Sequence, residues 1–285
     1  MNIFHIKSDR IYFNISRTLL TITFLAIILF HFSCQDEENY EFSDVPVIES
    51  YISPGTGILI NIRRQIPFLS DVNYSKDDIN ALEVYLDVNN QTHKMTAFGN
   101  GNYGDSTLTI VNGDELVLHF QYNGKEVVAS TFIPVKPLGF EQSALSISIE
   151  QMDSTSMPTP GDMPDPIELS WDNTDNSYYL VIVENTEDNL VAIRDFGEDE
   201  NHGPSFKQRP LNSAGTRLTP MEFKYYGKHR IVLFHVLPDY ASLYDENSNS
   251  SLNLTNPSTS IKNAYGIFTG MDSDTLWLEV NQAKK

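Results

Sequence analysis

One cysteine, Cys34, stands in 285 residues, so no disulfide can form within the chain and its stability has to come from apolar packing. Basic residues are scarce: 19 Lys and Arg face 38 Asp and Glu, for a formal charge of -19. So acidic a body repels nucleic acid and anionic headgroups, and no nucleic-acid partner is expected. The signatures of catalysis are missing as well, with no Gly-x-Ser-x-Gly elbow, no phosphate loop and no His-Glu-x-x-His. No apolar run reaches the roughly 20 residues that a membrane-spanning helix needs; the longest apolar run covers 18–32 and carries no charge.

What is there begins with that run. Lys7, Arg10 and Arg17 precede it, Ser33 and Cys34 follow it, and Gln35, Asp36, Glu37 and Glu38 come next. A basic leader, a short apolar stretch and a small residue before a cysteine read as a lipoprotein signal peptide over 1–33, with Cys34 lipidated as the mature N-terminus. His31 stands where such signals usually carry an aliphatic residue. An uncleaved signal anchor with an incidental cysteine is the alternative. Gln35, Asp36, Glu37 and Glu38 resemble the short acidic signal that sends lipoproteins of the Bacteroidota to the outer face of the outer membrane. The expected location is therefore the outer membrane, held by the N-terminal lipid and facing the cell exterior, with a periplasm-facing orientation as the alternative. Cleavage removes three basic residues and one acidic, leaving 16 against 37 and a charge of -21.

Residues 34–46 form an acidic tether, and strands follow at once. Pro54-Gly55 separates two β-rich runs, 47–53 and 57–64, as a hairpin. Leu82, Val84, Leu86 and Val88 alternate with polar neighbours, the period of a half-buried strand, and 92–98 returns after Asn89-Asn90. Asn112-Gly113 and Asn123-Gly124 join 107–111, 115–122 and 125–133 as hairpins, because this dipeptide accepts positive φ at both positions. The expected architecture is all-β, with two tandem β-sandwich domains of the immunoglobulin or fibronectin III kind: 47–134, a proline-bearing linker at 135–140, and 141–285. In the second, strands are expected at 145–149, 167–171, 178–184, 190–195, 221–226, 229–237 and 275–281, a proline-rich excursion at 157–166, and a short helix over 239–246. A strand ending in Trp171, a polar turn and then Tyr178-Tyr-Leu-Val-Ile-Val183 resembles the B and C strands of fibronectin type III domains.

The order of motifs over the mature chain carries a wider resemblance. Cys34, Val47-Ile-Glu-Ser-Tyr-Ile-Ser53, Arg64-Gln-Ile-Pro67, Thr131-Phe-Ile-Pro134, Asn256-Pro257-Ser258-Thr259 and Ile261-Lys-Asn263-Ala-Tyr-Gly266-Ile-Phe268-Thr-Gly270 resemble a large family of Bacteroidota lipoproteins known only as a domain of unknown function. Members look to be encoded beside TonB-dependent outer-membrane receptors, which implies an accessory role in uptake and transfers no active-site residue.

The titratable residues point to no chemistry of their own. His229 and His235 stand six apart, about 20 Å along a strand, too far for one metal. Asp172 to Asn176, Glu198 to Glu200 and the pair Asp272 and Asp274 bring oxygens close together but lack the glycine and closing glutamate of an EF-hand loop. No catalytic residue, metal or cofactor is expected. Tyrosines are the better lead. Tyr178-Tyr179 and Tyr225-Tyr226 must send one ring each to opposite strand faces, and Tyr240, Tyr244 and Tyr265 are candidate contacts for a sugar or a protein partner, with core packing as the other account of these rings. The reading is a non-enzymatic accessory or ligand-capture partner of a TonB-dependent receptor; an independent carbohydrate-binding or adhesion module is the alternative, and a hydrolase the second.

Overall fold

The first hairpin turns at Pro54-Gly55 with Gly55 at φ 72° and pairs β1 (Pro46–Ile52) with β2 (Ile58–Arg64). The computed structural model describes residues 44–65, 77–153, 163–195, 203–244 and 260–283. The expected lipidation residue Cys34, the expected export signal Gln35, Asp36, Glu37 and Glu38, His202, the cluster 198–200 and most of the proline-rich excursion lie outside them. After β2 come a single helical turn, α1 (Asp77–Asn80), and the short strands β3 (Tyr85–Val88), β4 (Gln91–Lys94), β5 (Thr96–Gly99) and β6 (Asn102–Asp105). The longer hairpin β7 (Glu115–Tyr122) and β8 (Lys125–Phe132) follows. It turns on Asn123 and Gly124 at φ 48° and 73°, the two positive values that a two-residue turn between twisted strands demands. Leu116, Leu118, Phe120 and Tyr122 alternate into the core from β7.

The second half runs β9 (Glu141–Gln142), β10 (Ser146–Ile149), β11 (Met152–Asp153), β12 (Ile167–Ser170), β13 (Tyr178–Asn185), β14 (Arg194–Asp195), β15 (Ser205–Lys207) and β16 (Gly215–Leu218). It ends with β17 (Gly227–Val236), α2 (Pro238–Ser242), β18 (Ile261–Lys262) and the 18-residue β19 (Tyr265–Gln282). The order β15-β13-β17-β19-β1-β2-β6-β5, with β10 also on β19, makes one nine-stranded sheet. Opposite one half of it lies the five-stranded sheet β18-β8-β7-β3-β4, and opposite the other the three-stranded sheet β16-β12-β9. Two cores result. Ile48, Ile60, Leu86, Leu118 and Phe268 belong to the first, and Trp171, Val183, Phe223, Ile231 and Leu278 to the second.

The strand β19 is common to both. Its first residues, Tyr265 to Gly270, run parallel to β1, and Met271 to Val280 run antiparallel to β17. Phe268 is wholly buried in the first core, and Ile261 of β18 pairs with Ala129 of β8. Residues 261–270, assigned by sequence to the C-terminal domain, thus complete the N-terminal sandwich, and residues 44–285 form one compact unit. Two glycines allow the crossing. Gly266 sits at φ +109° with Ile48 O only 1.9 Å from where a Cβ would stand, and at Gly270 the corresponding distance to Phe132 O is 2.1 Å.

Three expected strands are not strands. Residues 107–111 carry no ladder. The Asp114 carboxylate accepts the Val111 N–H at 2.8 Å and an Asn89 amide hydrogen at 2.7 Å, and only Gly113 of its turn has positive φ. The Asn112 amide instead donates to Pro134 O and to Asp272. Across 190–195 and 221–226 the ladder shrinks to β14 and the bridge between Ala192 and Tyr225, with a 3-10 turn at Pro220–Glu222. Ile193 and Phe223 are nonetheless fully buried. The return strand 92–98 divides at the buried Met95, β4 joining the five-stranded sheet and β5 the nine-stranded one.

Candidate functional site

Side chains of β1 alternate: Ile48, Ser50 and Ile52 point into the core, and Val47, Glu49 and Tyr51 point away from it. The outward row crosses the sheet. Tyr51 lies beside Thr269 of β19 and Leu59 of β2 beside Gly104 of β6; the β1-β2 ladder ends at Glu49 and Asn61, and Tyr51 and Leu59 continue the outward side of those two residues. At Gly104 an added Cβ would meet Ile58 O at 2.1 Å and the Phe98 ring at 3.3 Å, so the glycine leaves room for that ring over the sheet. Tyr51, Leu59 and Phe98 are 46%, 56% and 61% exposed. Strands about 4.8 Å apart make this apolar row roughly 14 Å wide from β6 to β19.

The row continues onto α2. Pro238 opens this helix, where its missing N–H costs nothing, and residues four apart stack on one side. Tyr240 and Tyr244 accordingly lie with ring centroids 5.7 Å apart and hydroxyls 3.2 Å apart. Tyr51 meets Tyr240 edge to face at 6.0 Å. From the edge strand β15, Lys207 donates to the Tyr244 hydroxyl at 2.9 Å and lies 5.2 Å from its ring centroid. Asp239 Oδ1 accepts the Tyr240 N–H at 2.9 Å and the Thr269 hydroxyl at 3.1 Å, fastening the helix to β19. Burial raises the Tyr51 and Tyr240 phenols and the Asp239 carboxyl above their ordinary ranges; Glu49 adds to the first and Tyr244 to the second. Burial works the same way on Tyr244, but the hydrogen bonds from Lys207 and Tyr240 outweigh it and bring that phenol below 10.0. The result is a platform of ring faces edged by hydroxyls and one ammonium, suited to stacking and to hydrogen-bonded contact.

The family model for DUF4249, a domain of unknown function, matches residues 34–276. The chain belongs to the DUF4249 family. No curated protein matches it. Among solved structures it is similar to the FN1-FN3 domains of chicken CNTN1, with 12% identity over 67% of this chain and a TM-score of 0.24. The match spans 58% of that structure. A likeness so slight carries no argument, and the all-β architecture rests on the strand ladders themselves.

Of the residues expected at a contact surface in this DUF4249 chain, Tyr240 and Tyr244 stand together and Tyr265 stands apart. Tyr265 shares the outward side of β19 with Thr269 but lies four residues away, about 13 Å, with no ring contact among the described residues. Tyr51, Leu59, Phe98 and Lys207 were missed, although the alternation of Val47-Ile-Glu-Ser-Tyr-Ile52 already places Tyr51 on the side of Glu49. Tyr179 and Tyr226 are buried and Tyr178 and Tyr225 half-buried. Three histidines have protein partners: His229 Nδ1 is 2.9 Å from Gly227 O, His235 Nδ1 is 2.8 Å from Val135 O, and His119 stacks on Tyr85. Asp272 accepts from Asn112 at 2.7 Å and Asp274 pairs with Lys136 at 2.9 Å. Those two carboxylates fasten the first sandwich and the linker to β19. Among the described residues no group of three or more His, Cys, Asp and Glu is placed to hold a metal.

Proposed function

We propose that this chain is a lipid-anchored protein of the outer membrane, facing the cell exterior, that captures a partner or ligand for a TonB-dependent receptor and catalyses no reaction itself. The observation that carries the proposal is the exposed row Phe98, Leu59 and Tyr51 continued by Tyr240 and Tyr244, since contiguous exposed apolar surface marks interaction sites. The lipid on Cys34 confines the body to the membrane plane, and two-dimensional confinement raises its effective concentration near a receptor. Receptor contact is made by this platform, with Lys207 and the tyrosine hydroxyls supplying the directional bonds.

The test is recovery of partners from native membranes after mild detergent extraction, comparing wild type with Cys34→Ala and with Tyr51→Ser/Leu59→Ser. Both exposed residues can be replaced without opening a core. Central aromatic contacts are worth about 2 kcal/mol or more in interfaces, so the double variant is expected to lower recovery of a β-barrel receptor at least about tenfold, and Cys34→Ala to abolish membrane association. Failure to recover any barrel with the wild type overturns the proposal. Binding of a polysaccharide by the same face with no barrel recovered moves the reading to an independent carbohydrate-binding module.

A further inference from the structure

A second feature is a cleft of about 440 Å³ between the β7-β8 hairpin and the start of α2. Its volume falls within the range of small-molecule sites. Val117, Phe132, Leu237 and Pro238 line it with apolar surface, and Glu115 and Asp239 bring two carboxylates. None of its described lining residues is cationic.

The Asp239 carboxyl has no cationic partner among the described residues. Its Oδ1 accepts from the Tyr240 N–H and the Thr269 hydroxyl, its own backbone N–H adds a further bond to the carboxyl, and no hydrogen bond from another described residue reaches Oδ2. Burial outweighs those bonds and raises the carboxyl, as happens when a carboxylate lacks a counter-charge. Glu115 has no ion pair among the described residues either, although its backbone N–H is held by Asn89 at 3.0 Å.

We propose that this cleft binds a primary alkylammonium group, with its aliphatic stem against Val117, Phe132 and Leu237 and its charge on Asp239 Oδ2, assisted by Glu115. A guanidinium is the poorer fit, because its fork needs both oxygens of a carboxylate and Oδ1 is already occupied. An ammonium is a point charge that one free oxygen can hold. The group is either a free amine or a lysine side chain, and the experiment separates them.

Titrations of the soluble body, residues 44–285, with n-pentylammonium, 1-pentanol and a blocked Gly-Lys-Gly peptide are read by calorimetry and by NMR shifts of the Val117 and Phe132 methyl and ring signals. Pentylammonium is expected to bind and perturb those signals, with 1-pentanol at least about tenfold weaker, since a hydrogen bond to a charged group is stronger than one between neutral groups. Asp239→Asn, which keeps the Oδ1 acceptor, is expected to lose about tenfold or more, and Glu115→Gln a few fold. Binding of the peptide as well as the amine assigns the site to a lysine side chain; binding of the amine alone assigns it to a small ligand. Equal binding of pentanol and pentylammonium, full affinity in Asp239→Asn, or shifts that bypass Val117 and Phe132 overturns the proposal. Phe132→Ala, half-exposed at the cleft and outside the polar ties, provides a second variant should Asp239→Asn fold poorly; unchanged affinity there also counts against it.

Discussion

Replacing Phe268 by alanine is the sharpest test of the shared strand. The ring is fully buried in the first core, yet it is carried by β19, whose remaining length belongs to the second. Truncating a buried Phe to Ala costs about 3 to 5 kcal/mol through lost burial and the cavity left behind. With a urea slope of roughly 2 to 3 kcal/mol per molar for a chain this size, the midpoint should fall by about 1 to 2.5 M. The assay is tryptophan fluorescence, because both tryptophans, Trp171 and Trp277, lie in the second half. Trp171 is 4% exposed in the second core and so reports on its unfolding. If β19 makes the two cores one cooperative unit, that signal and far-UV circular dichroism move together. An unmoved fluorescence midpoint alongside a separate early transition in circular dichroism would show two independent domains and refute the reasoning.

Three further outcomes are expected. Gly266→Ala should destabilise by several kcal/mol, since it adds a Cβ where Ile48 O stands 1.9 Å away and forces alanine to φ +109°; chemical denaturation measures it, and a change under about 1 kcal/mol contradicts the β1-β19 pairing. Burial holds His229 below 6.5, against the raising effects of the Gly227 carbonyl and Glu187. The unfolded chain therefore binds the proton first, so stability is lost as pH falls from about 6.5 toward the lower native value, and His229→Gln should remove that part of the slope in denaturation series. Asp239 has the opposite sign for a carboxylate: its raised value means that stability falls as pH rises through the window from 3.8 to the native value. Asp239→Asn should thus be more stable than wild type at pH 7, and the gain should vanish in acid.

Local signals in the sequence carried the local structure. Asn123-Gly124 forms the expected turn, and the alternation in 115–122 gives the expected buried side. The same dipeptide at 112–113 misled, because the Asp114 carboxylate takes the Val111 N–H and the Asn89 amide oxygen takes the Glu115 N–H, donors that a hairpin ladder would use. Residues 190–195 and 221–226 were read as strands; Ile193 and Phe223 are buried while Leu190, Val191 and Met221 are exposed, and the two segments pair with each other only at the bridge between Ala192 and Tyr225. The largest gap is the parallel pairing of Val47 with Tyr265. Nothing local encodes a contact across more than two hundred residues, and β19 hides its own length. Asp272, Ser273 and Asp274 break its apolar pattern in the middle, where the sequence reading began the strand only at Thr275. Their polarity has a cause in the fold: the two carboxylates receive Asn112 and Lys136 from the first sandwich and the linker.

The candidate face was half legible for the same reason. Tyr240 and Tyr244 are four apart on a helix and could be paired by counting. Tyr51 reaches them only because β1 lies against β19, and Thr269, its neighbour across that pair, holds Asp239 at the root of α2. The helix is thereby referred to the one strand that both cores share, with Lys207 bound to Tyr244 from the far edge of the same sheet. A ligand that engages Tyr51 and Tyr244 together spans side chains from β1 and from α2, whose spacing is set by the β1-β19 register. Mutations that loosen that register, Gly266→Ala first among them, should therefore weaken capture even though they touch no exposed residue. A variant of equal instability placed deep in the second core, such as Val183→Ala on β13, should lower stability and leave affinity of the folded fraction unchanged.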